Sequence, residues 1–159
     1  MRHSNFPRTA SILALTLLSA LACARHSRSM FQPAPGAVRL VLQDSADAVL
    51  SAAERAISDE GIPIRLTDRG RRFVESRRID IGTFSDRSST EALPAAERLV
   101  IYRFFVRTDL GGTVLYGEAV TQPTGTEVRT MERMVSDEHP AHAVLSRMID
   151  NVQKHLSDR

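Results

Sequence analysis

The stretch from Arg98 to Asp109, RLVIYRFFVRTD, limits the folds open to this chain more than any other. In an extended conformation Val100, Tyr102, Phe104 and Val106 share one face, while Leu99, Ile101 and Phe105 share the other. A strand that is apolar on both faces must be covered on both, which places it inside a sheet rather than at its edge. Leu110-Gly111-Gly112 turns it into Thr113 to Thr121, where Val114, Tyr116 and Val120 alternate with Leu115 and Ala119. Pro123, Thr124 and Gly125 make another turn, and Glu127 to Val135 reads as the last strand.

Upstream, Ala37 to Gln43 is rich in branched apolar residues and reads as a buried strand. Asp44 and Ser45 offer helix N-caps, and Ala46, Val49, Leu50, Ala53 and Ile57 recur at helical spacing. Gly61 supplies a left-handed C-cap and Pro63 blocks continuation, so a helix spans roughly Ser45 to Glu60. Ile62 to Asp68 gives a short strand, and Asp68-Arg69-Gly70 turns it into a return strand from Arg72 to Ile81. Phe73 beside Val74 breaks the alternation there and predicts a bulge. Gly82 to Glu97 is a long polar loop. After Ser136, Pro140 suits the first position of a second helix, with Ala141, Val144, Leu145, Met148, Val152 and Leu156 as its apolar stripe. The order is strand, helix, five strands, helix. Short turns favour an antiparallel meander, and two helices with one apolar stripe each cover one side of it. The expected fold is therefore α+β: a two-layer sandwich with an antiparallel sheet of five to six strands and two helices on one face.

Ahead of this domain, Ser11 to Cys23 reads SILALTLLSALAC and carries no charge, behind a head with Arg2, His3 and Arg8. A basic head, an apolar run and a small-residue exit describe a secretory signal, with a run too short to favour a spanning helix. Ala24 to Gly36 follows, polar and then broken by Pro33, Pro35 and Gly36, and reads as a flexible tether. Three parts result: a signal peptide over 1–22, a tether over 23–36 and one domain over 37–159. The formal charge of +2 on the 159 residues overstates how basic the protein is. Arg2 and Arg8 lie in the signal, leaving 19 residues of each sign after a cut before Cys23. A neutral mature chain argues against a nucleic-acid binder. Cys23 is the only cysteine, so no disulfide forms within the chain.

Ser19-Ala20-Leu21-Ala22-Cys23 resembles a lipobox, the site where bacterial lipoprotein precursors are lipidated on cysteine and cut just before it. The resemblance implies a lipid anchor on Cys23. Ala20-Leu21-Ala22 is also an A-x-A exit, at which an ordinary signal peptidase would release a soluble secreted or periplasmic chain. Ala24 follows the cysteine where Asp would resemble the inner-membrane retention signal of enteric bacteria, so the resemblance implies the outer membrane, facing the periplasm. The element order from Ala37 to Leu156 behind this motif resembles the small helix-on-sheet lipoproteins of the β-barrel assembly and lipopolysaccharide-insertion machineries. That implies a non-enzymatic envelope protein with a protein partner; the alternative is a module that binds lipid or a small ligand on an open sheet face or an arginine-rich hairpin.

Arg65, Arg69, Arg71, Arg72, Arg77 and Arg78, against Asp68 and Glu75, give one predicted hairpin a basic surplus. Arg71, Arg72, Arg77 and Arg78 are the candidate patch for an anionic ligand such as lipid phosphate. His139 and His142 form H-x-x-H beside Asp137 and Glu138, but His139 precedes Pro140 and a solvated helix entrance accounts for the group, so no metal site is assigned. No spacing marks a nucleophile or an acid–base pair, and the reading calls for no cofactor and no enzymatic activity.

Overall fold

The computed structural model describes residues 29–83, 95–121 and 132–158. Among them, seven strands form one sheet: β1 (Val38–Leu42), β2 (Ile64–Asp68), β3 (Phe73–Ser76), β4 (Ile79–Asp80), β5 (Leu99–Asp109), β6 (Gly112–Thr121) and β7 (Arg133–Met134). The two long helices are α1 (Ala46–Asp59) and α3 (Pro140–Ser157), and α2 (Ala95–Arg98) is a single turn before β5. The protein is α+β, with α1 and α3 sharing one hydrophobic core with the strands.

Every pairing is antiparallel, in the order β1-β6-β5-β3-β2, with β4 also on β5 and β7 also on β6. β5 is central, as its two apolar faces require. The sheet is not the expected simple meander, because β1 returns to pair with β6 rather than with β2. Its strand count exceeds five to six because the return strand breaks after Ser76. The Ser76 hydroxyl accepts the Tyr102 N–H at 2.9 Å, and the Arg77 N–H donates to the Pro63 carbonyl at 2.7 Å. Pairing with β5 then resumes at Ile79. The irregularity expected at Phe73–Val74 lies instead in β2, between Ile64 and Leu66. Of the expected last strand, residues 127–131 lie outside the described residues.

Both long helices form for the local reasons visible in the sequence. The Ser45 side chain accepts the Ala48 N–H at 3.3 Å. At the other end Gly61 (φ +71°) donates to Ser58, and Ile62 donates to Ile57, closing a Schellman motif. Pro140 opens α3 with His139 as its N-cap. The stripe from Ala141 to Leu156 is buried throughout. α3 approaches β6 at Gly117, where a Cβ would stand 2.9 Å from the Phe104 ring and 3.2 Å from Leu145. Arg147–Glu60 at 2.7 Å and His155–Asp59 at 2.6 Å tie α3 to the end of α1. No helix among the described residues is long and apolar enough to cross a membrane.

Candidate functional site

The helices leave one sheet face to other partners, and β-pairing decides which side chains meet there. Residues directly opposite one another share a face, so Glu75 on β3, Arg103 on β5 and Glu118 on β6 form a row across three strands. Arg103 is only 1% exposed. Its Nε donates to Glu75 at 2.5 Å and its Nη1 to Glu118 at 3.2 Å. Both terminal nitrogens reach Glu132, at 2.7 and 2.5 Å. The second Glu75 oxygen accepts from Arg65 at 2.6 Å. Burial works to lower the Arg103 pKa, but the bonds to Glu132 and Glu75 and their charges outweigh it, so the guanidinium is held in its charged form.

Residues 29–36 cross this same face. The Phe31 ring meets the Phe73 ring edge-on at 5.3 Å, and Phe73 meets Phe105 at 5.0 Å. Ala34 is buried, and its N–H donates to Glu118 at 2.8 Å. Arg107 donates to the Phe31 carbonyl at 2.8 Å. The second half of the segment read as a tether is thus packed on the sheet, and the face expected to stand open is covered here. Phe31 supplies the apolar surface that makes docking favourable, in a stretch too short to show a period.

The four candidate arginines do not form one patch. Arg71 and Arg72 stand in the β2–β3 turn, while Arg77 and Arg78 lie beyond the other end of β3, a strand about 13 Å long. The Arg71 guanidinium stacks 4.1 Å from the Phe31 ring centroid and comes within 3.8 Å of Asp68. Arg72 holds a left-handed backbone (φ +52°), and its side chain donates to Thr108 at 3.1 Å. Arg77 and Arg78 are exposed. Arg65 and Arg69 are paired, with Glu75 and Glu54. Sequence reasoning missed Arg103, at the centre of the buried network, and Arg107. Arg107 arrives from a different hairpin to join Arg71 and Arg72 around a shallow cleft of about 460 Å³, lined also by Phe31, Gly70 and Thr108. Only the pairing of β3 with β5 brings these turns together.

A second hollow of about 350 Å³ includes Glu97, Arg133 and His139 in its walls. His139 is occupied by structure: its Nδ1 accepts the Ala141 N–H at 3.1 Å, which leaves Nε2 to donate to the Glu97 carbonyl at 3.0 Å. His142 turns to Asp137 at 3.4 Å, so the two histidines have separate partners. Among the described residues no three His, Cys, Asp or Glu side chains are grouped to hold a metal ion. Cys23 lies outside the described residues.

A scan against protein-family models matched none, and a search of curated proteins found no relative. The functional reading therefore rests on this chain's own residues.

Proposed function

We propose that this chain is a lipid-anchored protein of the bacterial envelope, held at the periplasmic side of the outer membrane through Cys23 and acting through protein contacts rather than catalysis. The observation that carries the reading is the uncharged run from Ser11 that ends in the only cysteine. The start of the folded body fits it. Seven residues, Ala24 to Met30, separate Cys23 from Phe31, whose ring packs on Phe73 of the sheet. Fully extended, that interval spans about 27 Å, so an anchor on Cys23 would keep the domain near the membrane.

Crosslinking in intact cells, followed by purification through a C-terminal tag, tests the reading. The expected result is a defined envelope protein recovered with the wild type and lost with Cys23→Ala, which removes the domain from the membrane. The second reading, an anionic lipid or small-ligand module, is favoured by the three arginines around the cleft at Phe31. Native mass spectrometry that finds a bound lipid, with no crosslinked protein, supports that reading over the first.

A further inference from the structure

One end of the sheet gathers features that neither the core nor the Arg103 network uses. Leu110 is fully exposed, at 107% of its reference area, on the two-residue tip of the β5–β6 hairpin. Such a side chain gains nothing from folding where it stands. Arg107, three residues before it, lines the cleft with Arg71 and Arg72. The hydrogen bond from Arg72 to Thr108, and that from the Val106 N–H to the Arg72 carbonyl, fix the two turns side by side. Arg107 and Arg71 also grip Phe31, on the segment that leads back to Cys23. An apolar tip, a ring of guanidinium groups and the approach to the anchor thus lie at the same end.

We propose that this end rests on the bilayer, with Arg71, Arg72 and Arg107 meeting the phosphates of anionic lipid headgroups and Leu110 entering the interface. The inference rests on the Cys23 anchor for its geometry and assigns the domain's orientation on the membrane. Charge supports an anionic surface. Arg69 is neutralised by Glu54, and the cleft itself is walled by Arg71, Arg72 and Arg107 with no carboxylate among the described residues of its lining. The nearby aspartates accept backbone N–H groups of their own turns, Asp68 from Arg71 and Asp109 from Leu110. Guanidinium groups suit the task because their planar fork donates to two phosphate oxygens at once. A chain tethered by its lipid needs little further affinity, since attachment raises the local concentration of the surface.

The test uses the mature lipidated protein in vesicles. With Cys23 acylated, Leu110→Cys provides a single free thiol for an environment-sensitive fluorophore, and Gln153→Cys on exposed α3 provides the control position. In vesicles of phosphatidylcholine with phosphatidylglycerol, the label at 110 should shift to the blue and be quenched by lipid-borne nitroxide. It should do neither in phosphatidylcholine alone, and the label at 153 should stay aqueous in both. Each of Arg71→Gln, Arg72→Gln and Arg107→Gln should lower the docked-to-undocked ratio about fivefold. Raising salt from roughly 0.1 M to 1 M should undock the wild type, as the Debye length falls from about 10 Å to about 3 Å. A label at 110 that stays aqueous in anionic vesicles, or enters neutral ones equally, overturns the proposal. That comparison needs no arginine variant to fold. Flotation separates the two ideas: protein that floats with vesicles but leaves residue 110 in water fails this inference alone, whereas protein that carries no acyl chain and does not float fails the anchor.

Discussion

Arg107 and Phe31 are bonded across 76 residues of sequence: the guanidinium donates to the Phe31 carbonyl oxygen at 2.8 Å. The bond, with the Phe31–Phe73 ring contact and the Ala34–Glu118 bond, makes residues before β1 part of the folded body. With the proposed anchor on Cys23, docking of residues 31–34 would shorten the reach of the domain from the membrane.

Phe31→Ala should therefore cost stability. A half-buried aromatic ring in contact with Phe73 contributes about 1–2 kcal/mol. Chemical denaturation of wild type and variant measures the difference. A change within about 0.5 kcal/mol, the usual range for an exposed position, would mean that the segment contributes nothing to the fold.

The helices and the central strand were legible in the sequence because their signals are local. Ser45, Gly61 and Pro140 mark helix ends by backbone chemistry that acts within a few residues. The two-faced pattern of β5 declares its own burial. The partner of β1 was not legible, since turn signals report only neighbours in sequence and β1 pairs with a strand more than seventy residues away. The candidate site fared likewise. Arg71 and Arg72 were found from composition, but their separation from Arg77 and Arg78 depends on where β3 begins and ends. Arg103 carried a signal that went unread: a cation inside an otherwise apolar strand must bring its counter-charges with it, here from β3, β6 and Glu132.

Arg103→Met should be among the most damaging single changes. It removes the cation and leaves the buried Glu75 and Glu118, with Glu132 beside them, without their shared partner, a loss of about 3–5 kcal/mol when one side of a buried ion network is deleted. Urea unfolding measures it. Adding Glu75→Gln and Glu118→Gln to the same chain should return part of the loss, because the stranded charge is the main cost. A single variant that unfolds within about 1 kcal/mol of wild type would show that the network contributes little.

Alkaline titration probes the opposite sheet face. Tyr102 lies in the core under α3, and its hydroxyl donates to the Ala141 carbonyl at 3.2 Å. Burial is the main reason that its pKa stands far above the ordinary 10. The folded state keeps this proton while the unfolded state releases it, so the contribution is fully present below pH 10 and is lost as pH rises further. The slope is about 1.4 kcal/mol per pH unit from this group. Stability measured from pH 9 to 11 should fall more steeply in wild type than in Tyr102→Phe, which itself loses about 1 kcal/mol at neutral pH with the hydrogen bond. Parallel curves for the two proteins would contradict the assignment.

Lipidation of Cys23 underlies both the proposed function and the proposed orientation on the membrane. Cells grown with an isotopically labelled fatty acid, followed by purification and an intact mass of the mature protein, test it directly. The predicted result is label in the wild type and a mass equal to the chain from Cys23 plus a thioether-linked diacylglyceryl group, with or without an N-acyl chain, and no label in Cys23→Ala. An unlabelled wild type, recovered as a soluble chain whose mass begins at an unmodified Cys23, would contradict it.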